Sequence, residues 1–238
     1  WYYFGNGRGD NIIDLAELLY NSSDVSYLIR QIDRNAPSGV SVSLPKAKPN
    51  TPQNSFENLQ VLSIAHPALI KYLGERCIDI EIARTVCKEL HFDTRGKHYF
   101  GIGFPNIAGG YEIRNPFFKG GITPKDISLF HNEESKQSCF VFEGFIDFLS
   151  FMMLRRKEND GLKRQDYLVL NSVSNVHKAL ESLSHYKNVQ CFLDNDEAGR
   201  NAYKQLSEEL GSSVLDSSSL YSDFKDLNDY LCAEFKHS

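Results

Sequence analysis

No C-x-x-C pair occurs anywhere in the 238 residues. The five cysteines, Cys77, Cys87, Cys139, Cys191 and Cys232, are odd in number and widely spaced. That argues against a disulfide framework or a zinc site within the chain, and for reduced thiols in a cytoplasmic setting. A long apolar run is missing too. The most apolar stretch, Cys139 to Leu154, is interrupted by Glu143 and Asp147, so no membrane span or membrane partner is expected. No signal-peptide pattern stands at the start, and no internal repeat is evident. Nor is there an excess of positive charge. The formal net charge of −5 gives no bulk attraction to nucleic acid.

What is there is ordinary in bulk and uneven in detail. Hydrophobic content of 41% and charge of 24% suit a globular chain long enough for one large or two modest domains. Between Arg84 and Lys125, however, seven Lys/Arg stand against three Asp/Glu, so any nucleic-acid surface should lie there. Residues 36–56 hold four of the eight prolines and almost no acid, which reads as a flexible linker ending at 57. Ahead of it, 1–35 carries two short amphipathic helical patterns behind WYYFGNGRGD, a glycine-punctuated opening that looks like the tail of something begun upstream. Residues 58–135 open with a helix led by Pro67 and a second capped by Asp79 and ending before His91. They continue in aromatic, glycine-rich antiparallel strands. Aromatics there, among them Phe100, Phe104, Tyr111, Phe117 and Phe118, are read as core first, with base stacking as the alternative.

From 136 to 238 strand and helix alternate four times, with compact apolar strands and Ser174 expected to cap the second helix. That is the pattern of a parallel sheet covered by helices, an α/β domain whose reactive residues collect at the carboxyl edge. Two strands end in acid there: one at Glu143, another at Asp194 and Asp196. Like charges about 4 Å apart repel by roughly 1 kcal/mol in water and by more near a protein surface. A divalent cation offsets that cost, and hard carboxylate oxygens suit Mg²⁺ or Mn²⁺. Gly144 is expected to let the backbone turn sharply beside the glutamate. Asp226 is a further metal ligand or, equally, a helix cap, and Asp147 is either part of the acidic motif or a first-turn helix acid.

These residues carry a resemblance. FEGFID (142–147) followed by FLDNDEAGRNA (192–202) resembles the TOPRIM domain shared by bacterial primases, topoisomerases and certain nucleases. The Ala198-Gly199-Arg200 continuation and KDLNDYL (225–231) are similar to the primase branch, and YFGIGFPNIAGGYEIRNPFFKG (99–120) to the glycine-rich hairpin of the primase core. The opening resembles the end of a primase zinc-binding domain, but Tyr3 and Asn6 stand where its cysteines would be, so a degenerate remnant without zinc is expected. The resemblance implies a Rossmann-like TOPRIM sheet (136–238) preceded by a smaller α+β primase-core subdomain (58–135) and a short helical segment.

It further implies Mg²⁺-dependent nucleotidyl transfer, primase-like, in replication or mobilisation of a plasmid or mobile element. Glu143 would be catalytic, Asp194, Asp196 and Asp226 would hold metal, and Gly144, Asp147 and Gly199 would support the motif. Arg114, Lys119, Lys125 and Arg200 would contact nucleic acid. The implied partners are single-stranded DNA, nucleoside triphosphates, and a replicative helicase or mobilisation protein. A non-catalytic DNA-binding module and a TOPRIM-type nuclease are the alternatives; a topoisomerase is disfavoured because no domain presenting a nucleophilic tyrosine is present.

Overall fold

A computed structural model of the protein describes residues 56–94, 96–132, 137–157 and 165–236, with Tyr20 and Gln31. The chain separates into two compact units, 1–51 and 52–238, and the fold below is that of the second. The expected zinc-finger remnant and nearly all of the linker lie outside the described residues. The linker's expected end does not: Phe56 packs edge-on against Phe92, ring centroids 5.1 Å apart, and Glu57 already begins a strand.

The first sheet is antiparallel throughout. Its strands β1 (Glu57–Leu62), β2 (Lys88–Thr94), β3 (Lys97–Pro105), β4 (Tyr111–Asn115) and β5 (Phe118–Ile122) pair in sequence order. Between β1 and β2 come helices α1 (Pro67–Glu75) and α2 (Ile80–Val86). Pro67 stands in the first turn of α1, where its missing N–H costs nothing, and the Asp79 carboxylate accepts from Glu81 N–H at 2.7 Å to cap α2. The helix expected to run on toward His91 stops at Val86, because Cys87 is already extended and Leu90 and Phe92 alternate into the core as part of β2.

The second sheet has the order β10-β9-β7-β8-β6. Its strands are β6 (Ser128–Phe130), β7 (Ser138–Phe142), β8 (Asp166–Val169), β9 (Asn188–Phe192) and β10 (Val214–Asp216). All pairings are parallel except that of β6, which closes one edge antiparallel to β8. The crossovers are α3 (Phe145–Lys157), α4 (Val176–Leu183) and α5 (Glu197–Leu210), and α6 (Leu227–Lys236) packs on α3. Ser172, rather than Ser174, starts the second crossover: its hydroxyl accepts from Ser174 N–H, and a 3-10 turn (Val173–Asn175) leads into α4.

Both faces of this sheet are covered. On one, Val141, Leu168, Val189 and Cys191 pack against Ala179 and Leu183 of α4 and Ala202 and Leu206 of α5. On the other, Phe142 and Phe192 join Phe145 and Phe148 of α3 in a core that also takes Leu69, Leu73, Ile102 and Phe104 from the antiparallel half. One continuous core thus fixes one sheet on the other. Among the described residues no helix is long and apolar enough to cross a membrane.

Candidate active site at the carboxyl edge of the parallel sheet

The chain leaves β7 toward β8 on one side and comes back to β9 on the other, so β7 and β9 flank the point where the winding reverses. Ligands of such sheets bind in the crevice at this point. The register sets Phe142 beside Phe192, so Glu143 and Asp194 leave neighbouring strands, which lie about 4.8 Å apart. Of the residues singled out from the sequence, Glu143, Gly144, Asp147, Asp194 and Asp226 line one cleft of about 810 Å³. Arg114, Lys119 and Lys125 line the same cleft from the antiparallel half and the loop after it. Asp196, Gly199 and Arg200 do not line it.

The acidic wall is electrostatically crowded. Burial pushes Asp194 up to about 7, with Glu143 and Asp226 adding repulsion and Lys225 opposing it. The Lys225 ammonium stands 3.9 Å from the Asp194 carboxylate. Burial likewise raises Glu143, helped by Asp196 and opposed by the backbone N–H of Asp194. Asp147 is raised well above the usual carboxylate range, again by burial first and then by Asp226 and Asp194. Its carboxylate accepts from the backbone N–H of Asn228 at 3.4 Å and so ties α3 to the first turn of α6.

Two expected ligands have structural work as well. One oxygen of Asp196 accepts from Gly199 N–H at 3.0 Å, capping α5, and one oxygen of Asp226 accepts from Asp229 N–H at 2.8 Å. Gly199 is glycine for space: a Cβ there would come within 2.1 Å of the Asp194 carbonyl oxygen. Gly144 sits in the bend between β7 and α3, as expected, but needs no left-handed backbone for it. Its backbone lies outside the positive-φ region, and the room it leaves is for Asp147, whose carboxylate would stand 3.3 Å from an added Cβ. Arg200 reaches back to the Asn195 carbonyl at 3.0 Å, bracing the acidic loop from outside the cleft.

The sequence reading passed over three residues that organise the cleft. Asn195, between the two aspartates, donates through its side chain to the carbonyls of Tyr221 and Phe224, both at 3.0 Å, and its N–H donates to Lys225 O at 2.7 Å. These bonds draw the loop bearing Lys225 and Asp226 against Asp194. Arg76, at the end of α1, lines the basic side; its guanidinium lies 5.7 Å from the Tyr72 ring centroid and donates to Asn228 Oδ1 at 3.1 Å. Asn228 in turn donates to Arg76 O and Ser150 Oγ, both at 2.9 Å. The D-x-D spacing drew attention to its acids, and the amide between them carried no comparable signal.

The basic wall is itself under strain of charge. Arg114 and Lys119 stand directly opposite each other across β4 and β5, a like-charge pair that destabilises a hairpin. Burial lowers the proton affinity of Arg114, and its guanidinium lies 5.7 Å from the Phe145 ring centroid. Cations crowded on one side and carboxylates on the other suit a ligand that is anionic along its length and carries metal.

Among the described residues no three His, Cys, Asp or Glu side chains form a ready-made metal cage. Mg²⁺ needs none, since it binds through one or two carboxylates with water and substrate phosphates. Glu143 Oε2 is buried without a hydrogen-bond partner among the described residues, and it faces this demand. The donor set is all hard oxygen. The residues therefore fit Mg²⁺, with Asp194 and Asp226 as carboxylates lining the cleft and Glu143 close enough to repel Asp194.

Comparison with known proteins agrees with this half of the chain. Residues 140–231 match the family model described as Toprim-like, so the parallel sheet and its acidic edge form a Toprim-like domain. Residues 58–123 match a model described as a domain of unknown function (DUF8464). No curated protein sequence matches the chain. Among solved structures, the primase fragment of the bacteriophage T7 primase-helicase protein is 18% identical with a TM-score of 0.48, covering 87% of this chain and 81% of that one. The zinc-binding and RNA polymerase domains of the Aquifex aeolicus primase are 16% identical with a TM-score of 0.37, covering 99% of this chain and 71% of that one.

Proposed function

We propose that the protein is a primase-like enzyme that joins nucleotides on a single-stranded DNA template with Mg²⁺. One observation carries the reading: a single cleft sets Arg114, Lys119 and Lys125 against Glu143, Asp147, Asp194 and Asp226. Cations on one wall suit a phosphodiester backbone, and carboxylates on the other suit a metal-bound triphosphate. The Toprim-like match supports the second half of that assignment.

In the reaction a 3′-hydroxyl oxygen attacks the α-phosphorus of the incoming nucleoside triphosphate. A new P–O bond forms as the bond to the pyrophosphate oxygen breaks, and the hydroxyl proton passes to the Glu143 carboxylate. Burial suits Glu143 to this task by raising its proton affinity above that of an ordinary carboxylate. Asp194, with Asp226 and Asp196 as further carboxylates, would hold Mg²⁺, which would supply charge neutralisation on the triphosphate. Arg114 and Lys119 hold the template backbone at the opposite wall.

Primer synthesis from ribonucleotides on a single-stranded template, with and without Mg²⁺, tests the reading. Glu143→Gln and Asp194→Asn should each lower the rate at least about 10²-fold, the usual scale of lost acid–base or metal function. Wild-type rates in both variants would overturn the assignment. Cleavage of the template without synthesis would make the protein a nuclease instead.

A further inference from the structure

The turn joining β4 to β5 carries an aromatic ring with nothing to pack against. Asn115 and Phe118 are paired across the hairpin, leaving Pro116 and Phe117 as a two-residue loop. Phe117 is 97% exposed, yet it stands among the residues lining the cleft. The sequence reading placed it in a core; the structure puts it in water. A single exposed apolar residue needs no explanation on a plain surface, but this one is held in place. Asn115 Oδ1 accepts from Phe117 N–H at 2.9 Å, while Asn115 Nδ2 donates to Phe100 O at 2.8 Å. Pro116 fixes its own φ. The ring is thus displayed on a braced turn, with little backbone freedom left to lose on contact.

The surroundings say what it would meet. The next rung but one of the hairpin is the like-charge pair Arg114 and Lys119, facing the same cleft. Phe118 is itself 43% exposed and lies over Gly120, where an added Cβ would come within 2.3 Å of its ring. Cations for a phosphate backbone beside aromatic faces for bases make the combination by which proteins hold single strands without reading their sequence. A protein partner would be met more simply by a continuous apolar patch, which two rings followed at once by Lys119 do not make.

We infer that Phe117 is a base-stacking platform at the mouth of the cleft, which holds one unpaired base of a single-stranded nucleic acid while Arg114 and Lys119 hold its backbone. This rests on the nucleic-acid reading of the cleft given above. It adds a binding residue that carries no charge and predicts tolerance of all four bases, since each offers a π face.

The test is binding of labelled single-stranded oligonucleotides across a salt series, with circular dichroism to confirm the fold. Phe117→Ala should weaken binding about 5- to 150-fold, the range of one lost stacking contact, while leaving the slope of affinity against salt unchanged. Lys119→Glu should flatten that slope. Phe117→Trp should keep wild-type affinity and show fluorescence quenching on binding; Trp1 is the one other tryptophan, so wild type supplies the blank. Wild-type binding that Phe117→Ala leaves intact would overturn the stacking role and spare the function. A wild type that binds no single strand would overturn both, and an altered oligomeric state with unaltered binding would reassign the ring to a protein contact.

Discussion

The two sheets of the unit solve opposite problems. Strand β8 is buried at every position, whereas β1 is exposed at every position. The parallel sheet is a rigid interior element whose only outlets are the ends of its strands, and its acids are delivered there. The antiparallel sheet keeps an open face and turns, and its cations and its free phenylalanine are displayed on them. The proposed function divides along the same line, with the carboxylate chemistry on the well-buried half and the contact with a long flexible polymer on the adaptable half.

That contrast can be broken most severely from inside. Leu168→Ala, at a fully buried position of β8, should cost about 2–5 kcal/mol in denaturant unfolding and remove activity with the fold. Gly199→Ala comes next. Its added methyl meets the backbone of Asp194, so about 1–3 kcal/mol of overpacking is expected, with primer synthesis falling further than stability alone explains.

Asp194→Asn should act in the other direction on stability. Its carboxyl is raised in the folded protein to about 7, above the ordinary unfolded value, so the folded state holds a proton more tightly. The stabilisation this gives is complete below the unfolded value and is lost as pH rises through about 7. The variant, which loses nothing on that path, should gain on wild type between about pH 4 and 7 and keep that lead above it. Melting temperatures across that pH range measure the gap; a gap that shrinks as pH rises would contradict the crowding described at the acidic wall. Smallest of all, Val61→Ala on β1, where the side chain is 43% exposed, should change stability by under about 1 kcal/mol.

The same contrast decided what could be read from the sequence. The strands and helices from 138 to 236 were legible because buried parallel strands are short apolar runs bounded by polar helices. The acids at Glu143 and Asp194 followed from that alternation. In the antiparallel half the signals were weaker. Strand β1 was passed over because ENLQVL packs none of its side chains away and shows no buried alternation. Strand β6 escaped because three residues make no period. The cleft's cations were visible as a compositional bias, but Arg76 lay outside it, ending a helix whose pattern said nothing of a site. Asn195 and Asn228 were invisible for a general reason: a side-chain amide acts through the particular carbonyls it meets, and those come from segments distant in the chain.

Asn228 carries that distance furthest, for it bonds to Arg76 across 152 positions of sequence. The consequence falls on synthesis. The first helix of the unit leaves the ribosome early, and the asparagine that fastens it arrives, at about 5–20 residues per second, some 8–30 seconds later. Until then the basic wall has its strands but lacks its clasp, and Asp147 has no Asn228 N–H to accept from. The nascent unit must wait with the cleft half built, and α6, which follows all its other elements in the chain, is the one that closes it.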